Sequence, residues 1–144
     1  MAMRKTMGAL LAIVLGGLLI TPLGAEFGPE AVLGTWLVAA RDGHVTIYRC
    51  GEKYCGRITW STTPEDLDAK NPDPAKRSNK ILGMNIMWGF VYDDGKWVAG
   101  RVYDPDSGKT YKGRMWLESA DVLRLKGFVG IILLGRTETW TRVK

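Results

Sequence analysis

Between residues 84 and 128 the chain repeats one device, a short run of alternating side chains followed by a turn rich in aspartate and glycine. Asp93-Asp94-Gly95 separates 84–92 from 96–103, Asp104-Pro105-Asp106-Ser107-Gly108 separates that run from 109–117, and Ser119-Ala120-Asp121 leads into 122–128. Side chains that alternate with a period of two belong to strands, and such turns join antiparallel neighbours. Upstream, 33–40, 44–50 and 55–60 have the same character, with Asp42-Gly43 as a turn. Downstream, Gly127 and Gly130 feed a last run that ends Arg136-Thr137-Glu138-Thr139-Trp140-Thr141-Arg142-Val143. Eight short strands and no long helical pattern predict an all-β protein, an antiparallel up-and-down meander closed into a barrel, although a sandwich gives similar spacing. The 18 glycines suit the corners of a strongly coiled sheet. A barrel of this strand number has room for packed side chains or one small ligand.

The first 25 residues stand apart from this pattern. Arg4 and Lys5 precede an uncharged apolar run over 7–20, and Leu23-Gly24-Ala25 offers a small residue at a cut site. That is the pattern of a secretory signal peptide. The run is about 14 residues long, short of the roughly 20 that cross a bilayer, so cleavage after Ala25 is expected, leaving a single domain over 26–144. The expected location is the periplasm or the exterior, with no stable membrane insertion after cleavage. Losing Arg4 and Lys5 lowers the net charge from +5 to about +3. The remaining basic residues form no run and no basic helix, which argues against nucleic acid as a partner.

Chemistry-bearing residues are sparse. One histidine, His44, and two cysteines exclude a histidine metal cluster and a serine triad of the usual kind, and no cofactor or metal is expected. Across Gly51-Glu52-Lys53-Tyr54, Cys50 and Cys55 are expected to be directly opposed on a hairpin, within reach of a disulfide. Export makes that pairing the expectation. Ser107-Gly108-Lys109-Thr110 lacks the first glycine of a phosphate loop and is read as a turn. The aspartates at 93–94 and 104–106 are turn residues, so no catalytic residue is assigned.

Residues 61–80, with Pro64 and Asn71-Pro72-Asp73-Pro74, break the alternation. A connection of this length is either a lid or binding loop or a surface excursion, with one helical turn predicted near 74–78 and Asp73 as its cap. Beyond it, Met84, Ile86, Trp88, Phe90 and Tyr92 are expected to share one face, and Tyr111, Met115, Leu117, Leu123 and Leu125 to point inward. On the last strand Arg136, Glu138, Trp140 and Arg142 share a face, with the threonines on the other.

Beyond these patterns, Gly34-Thr35-Trp36 early on the first strand, with an arginine on the last, resembles the signature of the calycin barrels that include the lipocalins. The resemblance implies that an arginine packs across the tryptophan by cation–π attraction and hydrogen bonds to nearby carbonyls. Arg142 is the first choice as partner of Trp36 and Arg136 the second. Gly34-Thr35-Trp36-Leu37, Ile47-Tyr48-Arg49-Cys50-Gly51, Cys55-Gly56-Arg57-Ile58, Asn71-Pro72-Asp73-Pro74, Gly100-Arg101-Val102-Tyr103-Asp104-Pro105 and Trp140-Thr141-Arg142-Val143 together resemble a family of secreted bacterial proteins known as domain of unknown function 2147. That resemblance implies export and a calycin-like barrel, and brings no catalytic residue.

The function expected is binding of a small apolar or amphipathic molecule inside the barrel. Its wall is assigned to Trp88, Phe90, Tyr111, Met115, Leu123 and Leu125, with Arg101 or Arg136 as holders of an anionic head group. A filled barrel acting as a structural or protein-interaction module is the alternative, and an enzyme stands third.

Overall fold

The computed structural model describes residues 16–17, 27–130 and 135–144. The signal peptide expected over 1–25 therefore lies outside the described residues, apart from Gly16 and Gly17. The strands are β1 (Gly34–Leu37), β2 (Gly43–Cys50), β3 (Lys53–Ser61), β4 (Asn85–Asp93), β5 (Lys96–Asp104), β6 (Lys109–Ser119), β7 (Val122–Phe128) and β8 (Arg136–Arg142). Each pairs antiparallel with the next, and β8 returns to β1 with Trp36 opposite Arg142, so the sheet is a closed barrel and not a sandwich.

The first hairpins are tighter than the sequence suggested. β1 stops at Leu37 because the Arg41 amide turns back to the Val38 carbonyl at 2.9 Å. Between β2 and β3 only Gly51 and Glu52 are outside the ladder, with Cys50 opposite Lys53 and Cys55 opposite Tyr48. The cysteines are thus diagonal neighbours and not directly opposed. Their Cα atoms lie 5.8 Å apart and the disulfide is formed.

One end of the barrel is plugged by residues 27–33. The Trp36 indole donates to the Val32 carbonyl at 2.9 Å, that of Trp97 donates to the Pro29 carbonyl at 3.2 Å, and the Tyr92 hydroxyl donates to the Phe27 carbonyl. Arg142 locks the plug. Its guanidinium carbon stands 4.2 Å from the centroid of the Trp36 ring. Its Nη1 and Nη2 donate to the carbonyls of Leu33 and Ala31 at 2.8 and 2.7 Å, and Nε to Ala120 at 2.9 Å. A side chain at position 34 has no room here, since a Cβ on Gly34 would lie 2.8 Å from Arg142 Nη1. Inward of the plug the barrel is solid. Trp36, Tyr54, Met87, Phe90, Trp97, Met115 and Leu123 are all buried, and the Phe90 ring occupies the space a Cβ on Gly100 would take, at 2.4 Å.

The expected alternation on β4 is interrupted. Ile86, Met87 and Phe90 are all buried, because the ladder with β3 shifts between Asn85 and Met87 and the backbone is reversed again at Gly89, whose φ is 75°. Trp88 consequently faces outward opposite Arg101, while the neighbouring pair Met87 and Val102 faces inward.

Replacing Arg142 by alanine removes the cation–π contact and leaves several carbonyls without a donor. We expect a loss of about 2–4 kcal/mol in urea unfolding, with Arg142→Lys intermediate because an ammonium cannot fork between two carbonyls. Unchanged stability in Arg142→Ala contradicts the assignment of this contact as the lock.

Candidate functional site

At the end opposite the plug the side chains do not meet, and they leave a cavity of about 410 Å³. Its position follows from the ladders. The inward positions of β5 to β7 shrink towards this end, where Gly127 lies opposite Arg136 and Val102 opposite Tyr111, in place of the large pairs Trp97 with Met115 and Leu123 with Trp140 deeper in. Val45, Ile58, Ile86, Val102, Leu125 and Trp140 give the cavity its apolar wall. Towards solvent the lining becomes polar, with Asp42, His44, Asp66, Asp104, Asp106, Tyr111, Arg136 and Glu138.

β8 brings charge into the interior. Its inward row is Arg136, Glu138, Trp140 and Arg142, each opposite an inward residue of β7 or β1. Glu138 is half-buried across from Leu125, and one carboxylate oxygen accepts the Trp140 indole proton at 3.1 Å. Deeper still, Trp140 separates this polar lip from the solid half.

The residues assigned to a cavity wall from sequence divide three ways. Tyr111, Leu125 and Arg136 line the cavity. Phe90, Met115 and Leu123 point inward but lie in the solid half, where they are packed against other core side chains. Trp88 and Arg101 are corrections: both lie on the outer face, because β4 breaks alternation on both sides of Trp88, at Ile86–Met87 and at Gly89, and β5 breaks it at Ala99, whose φ is 59°. Trp88 retains 37% exposure, and Arg101 is exposed, with Nη1 donating only to the Gly100 carbonyl at 3.2 Å. Ile86, from the row expected to share a face on β4, also lines the cavity. Glu138, Trp140, Ile58 and His44 are not among the wall residues assigned from sequence. Period-two counting along β8 from Arg136 finds the first two; the irregular registers of β2 with β3 and of β3 with β4 hide the others.

The segment between β3 and β4 packs against the outer wall and borders the mouth. It has structure of its own: a 3-10 turn over Pro74–Lys76 capped by Asp73, whose carboxylate accepts the Ala75 amide at 3.0 Å, and a bridge between Leu67 and Lys80. Asp68 is its anchor. Fully buried, it accepts the Tyr103 hydroxyl at 2.6 Å and the Asn71 amide at 2.7 Å. Lys70 donates to the Asp106 carbonyl at 2.7 Å, tying the segment to the β5–β6 turn. Thr63, Asp66 and Ile81 from this segment complete the cavity rim. Among the described residues no three His, Cys, Asp or Glu side chains are grouped to hold a metal ion.

The family described as "Uncharacterized protein conserved in bacteria (DUF2147)" matches residues 34–142, which takes in every strand of the barrel. Among solved structures, the protein titled "Protein HP1028 from the human pathogen Helicobacter pylori belongs to the lipocalin family" is similar, with a TM-score of 0.71 at 19% identity over 78% of this chain and 83% of that one. At that identity the likeness concerns the fold. The comparison with curated proteins gives no match.

The anchor has a consequence at high pH. Burial first, and then the hydrogen bond and charge of Asp68 with a contribution from Asp104, push the Tyr103 hydroxyl up from 10.0 to about 12. The folded state therefore favours the neutral phenol. This contribution to stability is complete below about pH 10 and is lost as pH rises through about 12. Tyr103→Phe should remove that part of the alkaline decline and cost about 1–3 kcal/mol at neutral pH by leaving the buried Asp68 short of a donor. It should also speed proteolysis within 62–80. Identical alkaline titrations of stability for Tyr103→Phe and the unaltered protein contradict the anchor.

Proposed function

The chain belongs to this bacterial family, and on that premise we propose that it is an exported binding protein that holds one small amphipathic molecule in the open end of its barrel. The observation that carries this reading is the asymmetric interior. A chain with enough aromatic bulk to fill one half leaves about 410 Å³ empty in the other, within the roughly 300–1,000 Å³ usual for small-ligand sites. The wall is apolar at depth and polar at the lip, so a ligand with an apolar body and a polar end fits in one orientation. Binding and not catalysis is the reading, carried by this gradient from apolar wall to polar lip.

Export is supported by the leader pattern and by the disulfide between Cys50 and Cys55. A cut after Ala25 spares the plug, which uses Phe27, Pro29, Ala31, Val32 and Leu33. N-terminal sequencing of the exported protein should begin at Glu26, and retention of the apolar run opposes the proposal.

Native mass spectrometry of protein recovered from its own periplasm should show a bound small molecule. In vitro, the neutral fluorescent probe N-phenyl-1-naphthylamine should bind with one-to-one stoichiometry. Leu125→Trp, which fills the cavity, should weaken the probe at least about tenfold, a loss of roughly 1.4 kcal/mol in affinity, while thermal stability is retained. Equal affinity for both proteins, or no co-purified molecule and no probe binding, contradicts the proposal.

A further inference from the structure

The charge around the cavity is opposite to that of the chain. Overall, Lys and Arg outnumber Asp and Glu by 20 to 15. Around the cavity the lining contains five carboxylates, Asp42, Asp66, Asp104, Asp106 and Glu138, against one arginine, Arg136, and the histidine His44. The ion pairs of the described residues use other carboxylates, those of Glu30, Glu65, Glu118 and Asp121, and none of the five at the cavity is among them. Lys70 reaches the rim as a second cation, its ammonium donating to the Asp106 carbonyl at 2.7 Å, so the five carboxylates still outnumber the lysine and arginine there.

These carboxylates differ in how free they are. Both oxygens of Asp104 serve its own turn, accepting the Asp106 amide and the Ser107 hydroxyl, and Asp66 accepts the Thr63 hydroxyl. Glu138 is the one placed inside the barrel wall. Among the described residues a single neutral donor, the Trp140 indole, engages one of its oxygens. The other oxygen, the face of Trp140 and the apolar wall around Leu125 are together the surroundings that a substituted ammonium group prefers, with a carboxylate for its charge and an aromatic ring beside it. Arg136 sits one inward position nearer solvent on the same strand and is exposed, so its charge is screened more strongly than that of Glu138. Divalent metal does not suit the arrangement, because the carboxylates are spread around the rim and, among the described residues, no three are grouped for coordination.

We propose that the ligand of this cavity is an amphipathic cation, an organic amine or quaternary ammonium with an apolar body, whose charged end is held by Glu138 within the acidic rim. This rests on the cavity being the binding site. It replaces the anionic head group expected from sequence, for which Arg101 on the outer wall is unable to serve and Arg136 is outnumbered.

Isothermal titration calorimetry with decylamine, decanol and decanoate at pH 7, below their aggregation concentrations, separates charge from chain length. Decylamine should bind at least about tenfold more tightly than the other two, and the preference should shrink as salt is raised. Glu138→Gln should weaken decylamine about tenfold with little change for decanol, and Asp42→Asn should do so to a smaller degree while leaving the packed half untouched. Decanoate or decanol binding as tightly as decylamine, or a preference for decylamine that survives in both variants, overturns the cationic assignment while leaving the cavity as the site. Binding of none of the three, or binding of decylamine unaffected by Leu125→Trp, overturns the underlying reading as well.

Discussion

Arg142 closes this barrel, and its position determines where a ligand can and cannot go. A guanidinium drawn over a buried indole needs acceptors for its donors, and the acceptors here are the carbonyls of Ala31 and Leu33, just before β1. Pairing β8 with β1 and seating the N-terminal plug are therefore one event. The same contact explains why Gly34 lacks a side chain and why Trp36 donates to Val32 and not to solvent. Once that end is stapled, the largest aromatic residues pack against it, and the space they leave is displaced to the opposite end.

At the open end the design changes from packing to electrostatics. Gly127, Val102 and Tyr111 are too small or too far toward the rim to fill the interior, and the segment after β3 is held against the outer wall by Asp68 and Tyr103 instead of folding into the mouth. The buried carboxylate of Asp68 is costly unless its hydrogen bonds are made, so the segment is positioned by a specific polar contact on the outside of the barrel. Its rim residues then join a lip rich in carboxylates around an apolar pocket. The two interior alternatives raised by the sequence, a filled core and a lined cavity, thus occupy different halves of one barrel.

The strand series was legible because β6 and β7 keep alternation over most of their lengths and the turns around them contain aspartate and glycine. The contact of Arg142 with Trp36 was legible only through the resemblance, since nothing in local spacing relates residues 36 and 142, and the plug over 27–33 that it locks was not read from the sequence. The cavity wall was less accessible. Trp88 looks inward by counting, but the ladder shifts on both sides of it, at Ile86–Met87 and at Gly89, and one residue of shift exchanges the two faces of a strand. Arg101 followed it outward by pairing. Phe90, Met115 and Leu123 were placed inside correctly, yet whether an inward residue lines a void depends on its height along the barrel, which strand pattern does not encode. The directly opposed cysteines failed for a similar reason, because a two-residue turn replaces the longer loop and moves the partners to a diagonal.

The barrel is solid at the Trp36 end and receptive at the Trp140 end. Nitrogen-resolved NMR of the mature protein titrated with decylamine tests it directly, since indole and backbone resonances report each end separately. Saturable shifts are expected at Ile86, Leu125, Glu138 and the Trp140 indole, with those of Trp36 and Trp97 unmoved. Shifts concentrated at Trp36 and Trp97, or at Trp88 on the outer wall with Trp140 unmoved, contradict it.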